Sequence, residues 1–244
     1  MKCLEITKMD LLLCARMGSS RLPGKALMEI AEGKNSLDII INKVHSVIPS
    51  AKVILATTSS PKDDILANWG EKKRINVFRG SEDDVLGRIA GAVEQFNLDN
   101  IIEILGDNPL IPREIILNAL EKYNNINEDN KYVASATSEY KFIKTGNLFP
   151  IGIRVQIFSR KFIQNLEKVA TSSQEREHAT SYIYNRPDFS NIELTFPKFD
   201  IEPIISSHNF AINTQDQLDD AREIYSAFGR NCTVKNLVNW IESK

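Results

Sequence analysis

Cysteine is scarce in this chain: Cys3, Cys14 and Cys232 stand far apart, with no CxxC pair. That spacing argues against a disulfide framework or a cysteine-ligated zinc site and fits a reducing compartment. Histidine is equally sparse, and His45 and His208 have no suggestive neighbours. There is no HExxH helix for a zinc hydrolase and no GxSxG turn for a serine hydrolase. Neither sign of charge dominates: the formal net charge is −2, so no nucleic-acid partner is expected from bulk charge and any anion site is local. The N-terminal MKCLEITKMD is acidic in part and lacks a long apolar run. It predicts neither a signal peptide nor membrane insertion, and the cytoplasm is the expected location. No repeat, low-complexity tract or evident linker divides the 244 residues, a length that suits one large α/β domain.

What is present is organised around LLLCARMGSSRLPGK, Leu11 to Lys25. Its apolar half reads as a strand buried on both faces, and it breaks abruptly into Arg16, Gly18, Ser19, Ser20, Arg21, Pro23, Gly24 and Lys25. A loop of small residues and cations at the end of a parallel strand can wrap a polyphosphate, because backbone N–H groups approach the oxygens while Arg and Lys neutralise them. A merely basic turn has the same composition. The loop is not a Walker A motif, since Ala26 stands where Ser or Thr would hold magnesium.

Strand and helix then alternate. Ser36 is expected to cap a helix through Ile39, Ile40, Val44 and Val47; VILATT, Val53 to Thr58, is a buried strand; Ser60, Pro61 and Asp63 signal a helix start. Asn76 to Phe78 reads as a short strand and Ser81 as the opening of a helix with Glu82, Asp83 and Asp84 in its first turn. Ile101 to Leu105 is a strand, followed by a helix from Pro112 to about Tyr123. This order predicts a mostly parallel sheet covered on both faces, with ligands at the carboxyl ends of its strands. Further on, the pattern predicts strands at Val133–Thr137 and Phe149–Phe158, and a helix from Arg160 to about Val169. A helix capped by Ser172 and Glu175 should run through Tyr184, and Phe189 to Ile205 reads as a strand pair projecting from the sheet. A last core strand is expected at Asn209–Ile212, then helices capped by Thr214 and begun by Thr233.

Asp107 follows a buried strand directly, so its carboxylate should emerge at the ligand edge beside the cationic loop. A lone carboxylate there suits magnesium, which takes one or two protein oxygens together with phosphate oxygens and water. An Asx turn ahead of Pro109 is the alternative. Asn213 also ends a presumed strand, and an amide oxygen can bind a hard cation. His178, in QEREHATSYIY with Arg176, marks either a substrate-binding helix or simply a charged helical face. Arg154 interrupts the apolar FPIGIRVQIF; strand alternation puts Gln156 on its face, so the cation should meet solvent or an anion.

Five stretches carry a resemblance. ARMGSSRLPGKAL at Ala15 to Leu27, FRGSEDDVLGR at Phe78 to Arg88, LGDNPLI at Leu105 to Ile111, EREHATSYIY at Glu175 to Tyr184 and INTQDQL at Ile212 to Leu218 resemble, in this order, the cytidylyltransferases of the spore coat polysaccharide type. That group is similar to the 3-deoxy-manno-octulosonate and acylneuraminate cytidylyltransferases. The resemblance implies a Rossmann-like nucleotidyltransferase fold, commonly a homodimer, that joins an acidic sugar to CMP from CTP with release of pyrophosphate, for surface glycan synthesis. It implies that Ala15, Arg16, Gly18, Ser19, Arg21 and Lys25 hold the triphosphate, that Thr57, Thr58, Gly80 and Ser81 lie near the nucleoside, and that Asp107 binds Mg2+. Arg16, Lys25 and Asp107 are the implied catalytic set, Asp107 with Asn213 the metal ligands, and Arg154, Gln156, Arg176 and His178 the acceptor-binding residues. A dimerisation or acceptor-binding region is expected within about 138–208 of the single domain. The chain also departs from the pattern: Asn213 replaces an acidic metal ligand, GIRVQ at Gly152 to Gln156 replaces GLDVE, and Glu103 stands where Arg is usual. Another nucleoside triphosphate, a sugar 1-phosphate acceptor, or a non-catalytic nucleotide-binding protein are the alternatives.

Overall fold

The structure, a computed structural model, describes residues 8–143, 148–196 and 208–244. The buried run of the first strand is β1, Asp10–Cys14, and it lies inside a seven-stranded sheet. A short hairpin follows, β2 (Glu29–Ala31) and β3 (Lys34–Asn35). The other sheet strands are β4 (Val53–Thr58), β5 (Asn76–Gly80), β6 (Asn100–Leu105), β7 (Lys131–Ser135), β8 (Gln156–Ser159) and β9 (Asn191–Thr195), in the order β5-β4-β1-β6-β8-β7-β9. β5, β4, β1 and β6 run parallel, β8 is antiparallel to both neighbours, and β9 is parallel to β7.

Alternation along β1 divides the core. Leu11 and Leu13 face one layer, and Leu12 and Cys14 the other. The first layer is covered by α1 (Ser36–His45), α2 (Asp64–Lys72), α4 (Arg113–Asn124), α7 (Gln215–Phe228) and α8 (Val234–Glu242). The second is covered by α3 (Val85–Gln95) and α5 (Arg160–Val169); between α5 and α7 lies the short α6 (Ser173–Glu177). Helices on both faces leave the carboxyl edge of β1, β4 and β6 open for a ligand.

Several sequence expectations shift. The cap of α1 is Asn35, which forms a capping box with Asp38, because the Ser36 hydroxyl donates instead to the Gly106 carbonyl at 2.5 Å. Asp84, not Ser81, caps α3. Neither Ser60 nor Asp63 caps α2; a 3-10 turn at Pro61–Asp63 precedes it. Only Gln156 onward of the expected Phe149–Phe158 strand is in the sheet, and Asn209–Ile212 is not a strand; a single bridge joins Ile151 to Asn209. These segments are apolar because Phe149, Ile153, Phe210 and Ile212 fill the core as irregular chain. The helix capped by Ser172 ends at Glu177 and gives way to a 3-10 turn at Ser181–Asn185. β9 does not project: its register on β7 makes it the sheet's edge strand, while 197–205 of the expected pair lie outside the described residues. Among the described residues no helix is long and apolar enough to cross a membrane.

Candidate active site

The loop after β1 is shaped from a distance. Buried Asp63 accepts hydrogen bonds from the Met17 N–H at 2.7 Å and from the N–H and hydroxyl of Thr58, so it ties the loop to the end of β4. The Met17 carbonyl then accepts from the N–H groups of Ser19 (2.9 Å) and Gly24 (3.1 Å). Gly18, Ser20 and Arg21 carry no internal hydrogen bond or ion pair among the described residues, which leaves three backbone donors and one guanidinium for an incoming anion. Arg16 makes a loose, exposed contact of 3.4 Å with Glu82.

Opposite the loop, β6 ends in Gly106 and Asp107. The Gly106 N–H donates to the Cys14 carbonyl at 2.9 Å, and a Cβ there would stand 2.8 Å from both Ala15 and Leu37, so only glycine permits this approach. The approach brings Asp107 to the loop. Lys25 Nζ donates to Asp107 Oδ2 at 2.6 Å and to Asn213 Oδ1 at 2.8 Å. Asn213 is placed by a backbone bond from the Ile212 N–H to the Asp107 carbonyl at 2.9 Å. Farther along, Gly152 has φ +95° and a Cβ there would meet the Ala211 nitrogen at 2.1 Å, so the segment carrying Arg154 can lie directly on the segment leading to Asn213.

These elements enclose two adjoining cavities. The first, about 430 Å³, is lined by Ala15, Arg16, Gly18, Ser19, Arg21, Lys25, Asp107 and Asn213, and also by Cys14, Arg88 and Glu177. The second, about 330 Å³, is lined by Glu103, Glu139, Arg154, Gln156, Thr180 and Tyr184 among others. Val85, Leu105, Glu177 and His178 border both. Thr57, Thr58, Gly80 and Ser81 line neither: both threonines are buried in β4, Gly80 ends β5 beside Thr58, and Ser81 accepts the Asp84 N–H through its hydroxyl. Arg176 is also outside the cavities, held by Asp84 at 2.6 Å. The carboxylate that sequence patterning placed in the α3 dipole therefore anchors α6 to α3.

The second cavity has a polar floor. Gln156 donates to Glu103 at 3.1 Å and accepts from the Tyr132 hydroxyl, which is 2.7 Å from the Tyr140 hydroxyl. Burial pushes the Glu103 carboxyl above the usual range and the Cys14 thiol well above its own. Arg154 is ion-paired with Glu139, which also accepts from Thr137. Sequence reading did not assign Glu103, Glu139, Glu177 or Arg88 to the site; Glu103 stood out only as a departure from the family pattern, Arg88 and Glu177 lay within the FRGSEDDVLGR and EREHATSYIY motifs, and Glu139 left no signal.

A mostly parallel sheet with a cationic loop, a carboxylate and a lysine converging at its carboxyl edge defines a nucleotidyltransferase site. The chain belongs to the cytidylyltransferase family, whose model matches residues 11–228. It is thus a CTP-dependent nucleotidyltransferase. The spore coat polysaccharide biosynthesis protein SpsF of Bacillus subtilis is 28% identical over 88% of this chain and 85% of its own. A 3-deoxy-manno-octulosonate cytidylyltransferase of Haemophilus influenzae is 30% identical over 70% of this chain and 72% of its own. A cytidylyltransferase structure from Leptospira borgpetersenii shares the fold, with a TM-score of 0.83 at 22% identity over 97% of this chain and 94% of that one.

Proposed function

We propose that this cytidylyltransferase moves CMP from CTP to a hydroxyl of an acidic sugar, releasing pyrophosphate, as a cytoplasmic, homodimeric step in surface-glycan synthesis. The convergence of Asp107 and Asn213 on Lys25 beside Arg21, which has no ion pair among the described residues, is the observation that carries the reading. The acceptor oxygen forms a bond to the α-phosphorus while the bond to the bridging oxygen breaks. Arg16, Arg21 and Lys25 offset the charge that develops on the phosphate oxygens and the departing pyrophosphate. Alignment of the two reactants across the shared border of the cavities supplies up to roughly 7–11 kcal/mol.

Magnesium belongs to the same proposal. The described residues contain no cluster of three His, Cys, Asp or Glu that would enclose a metal. Asp107 and Asn213 instead bring two oxygens together at Lys25 Nζ, a hard oxygen donor set that would suit Mg2+ held jointly with phosphate. When bound, Mg2+ supplies charge neutralisation at the phosphates. We read the chain as one domain in which a stretch within about 138–208 holds the acceptor or the dimer contact.

A second reading of the acceptor is favoured by one observation. Arg154 already pairs with Glu139, and Glu103 and Glu177 add further carboxyl groups around the second cavity, an arrangement that suits an uncharged or amino sugar. Pyrophosphate release from CTP, UTP, ATP and GTP, with 2-keto-3-deoxy sugar acids set against uncharged and amino sugars, tests both. Turnover that requires CTP and an acidic sugar, with KM raised by Arg154→Ala, supports the first; turnover of an uncharged sugar indifferent to Arg154 replaces it with the second.

A further inference from the structure

Arg88 is the one buried arginine among the described residues, at 4% exposure, and it has no ion pair within 4.0 Å there. Other arginines of low exposure are paired: Arg154 with Glu139, Arg160 with Asp99 and Arg176 with Asp84. Of the five donors on Arg88, one Nη1 proton goes to the Ser81 carbonyl at 2.6 Å, and Nε has no partner. The Glu103 carboxylate and the Cys14 thiol influence it electrostatically, without a contact at ion-pair distance. A buried guanidinium with no ion-pair contact and an unpartnered Nε has donors to spare, which suits an anion or acceptor that the chain itself does not bring to contact distance.

Its position identifies that anion. Arg88 lines the first cavity but not the second, one helical turn beyond Val85, which borders both. The loop cations Arg16, Arg21 and Lys25 line the same cavity from the segment after β1, whereas Arg88 reaches it from α3. A nucleoside triphosphate transferring its α-phosphoryl group must turn that group toward the acceptor, hence toward the border, and direct its β- and γ-phosphates to the loop. Building on the cytidylyl-transfer reading above, we infer that Arg88 holds the α-phosphate of the nucleotide, separately from the loop that holds the pyrophosphate portion.

CMP contains only the α-phosphate and inorganic pyrophosphate only the leaving portion, so the two products separate the subsites. Titration of wild type, Arg88→Met, Arg88→Lys and Arg21→Met with each, with magnesium present, gives the test. Arg88→Met should weaken CMP by roughly 10- to 100-fold, the range for one charge-assisted hydrogen bond, and leave pyrophosphate unchanged. Arg21→Met should do the reverse. Arg88→Lys keeps the charge and should lose less on CMP, which protects the test if the methionine variant fails to fold. Equal losses on both products, or no loss on CMP in either Arg88 variant, would overturn the assignment and leave Arg88 as a prop for Ser81. A wild type that binds neither product nor CTP would instead remove the parent reading, with which the inference also falls.

Discussion

Lys25 and Asp107 are 82 positions apart in the chain and 2.6 Å apart in space, and Asn213 shares the same ammonium from 188 positions away. The three side chains form one polar unit. Asp107→Ala should lower the rate of pyrophosphate release by roughly 10²–10³-fold, as expected for losing one preorganised electrostatic contact, and Lys25→Met should behave similarly. Steady-state assays on both variants and their double mutant check this; because the pair acts together, the double mutant should be far less impaired than the product of the singles.

Asn213 contributes an oxygen without charge. Asn213→Asp should lower the magnesium concentration needed for half-maximal activity, because a second carboxylate strengthens a hard-cation site. Removal of divalent cations with a chelator should abolish turnover in both proteins. Activity that persists in the chelator would exclude magnesium from this site.

Asp63 satisfies three donors at once, so removing it leaves them stranded. Asp63→Ala should cost about 1–3 kcal/mol per buried donor left without water, measurable by urea unfolding. CTP affinity should fall as well, since Met17 would lose the bond that shapes the loop.

Glu103 is the residue for pH dependence. Burial raises its folded-state value above the ordinary 4.5, so the folded protein holds this proton more tightly than the unfolded chain. Its contribution is full below about 4.5 and is lost as pH rises through the raised value. The neighbours that modulate it are Cys14, Arg88, Arg154 and Tyr184, with Gln156 hydrogen-bonded to it. In thermal melts across this range, Glu103→Gln should gain relative to wild type as pH increases.

The parallel half of the sheet was legible in the sequence because each strand there is a short apolar run closed by turn residues; β4 coincides with VILATT, and α5 with Arg160 to Val169. The loop and Asp107 were legible for the same reason: both follow strands directly. Less visible was anything decided by a distant partner. The cap of α1 moved because Gly106 accepts the Ser36 hydroxyl, and Asp63 and Arg88 looked like ordinary helix residues. Apolar content at 149–155 and 209–212 signalled burial rather than strand. Periodicity cannot separate those outcomes over such short segments.

The hydrogen bond from Met17 to Asp63 also bears on how this enzyme acquires its ligand site. The loop's shape is stored in a side chain 46 residues later, beyond β4. A nascent or truncated chain ending before residue 60 would contain the whole cationic motif and still lack the contact that holds it in shape. The contact that holds the loop in shape therefore exists only once β4 and the turn after it are in place, as a property of two folding units acting together.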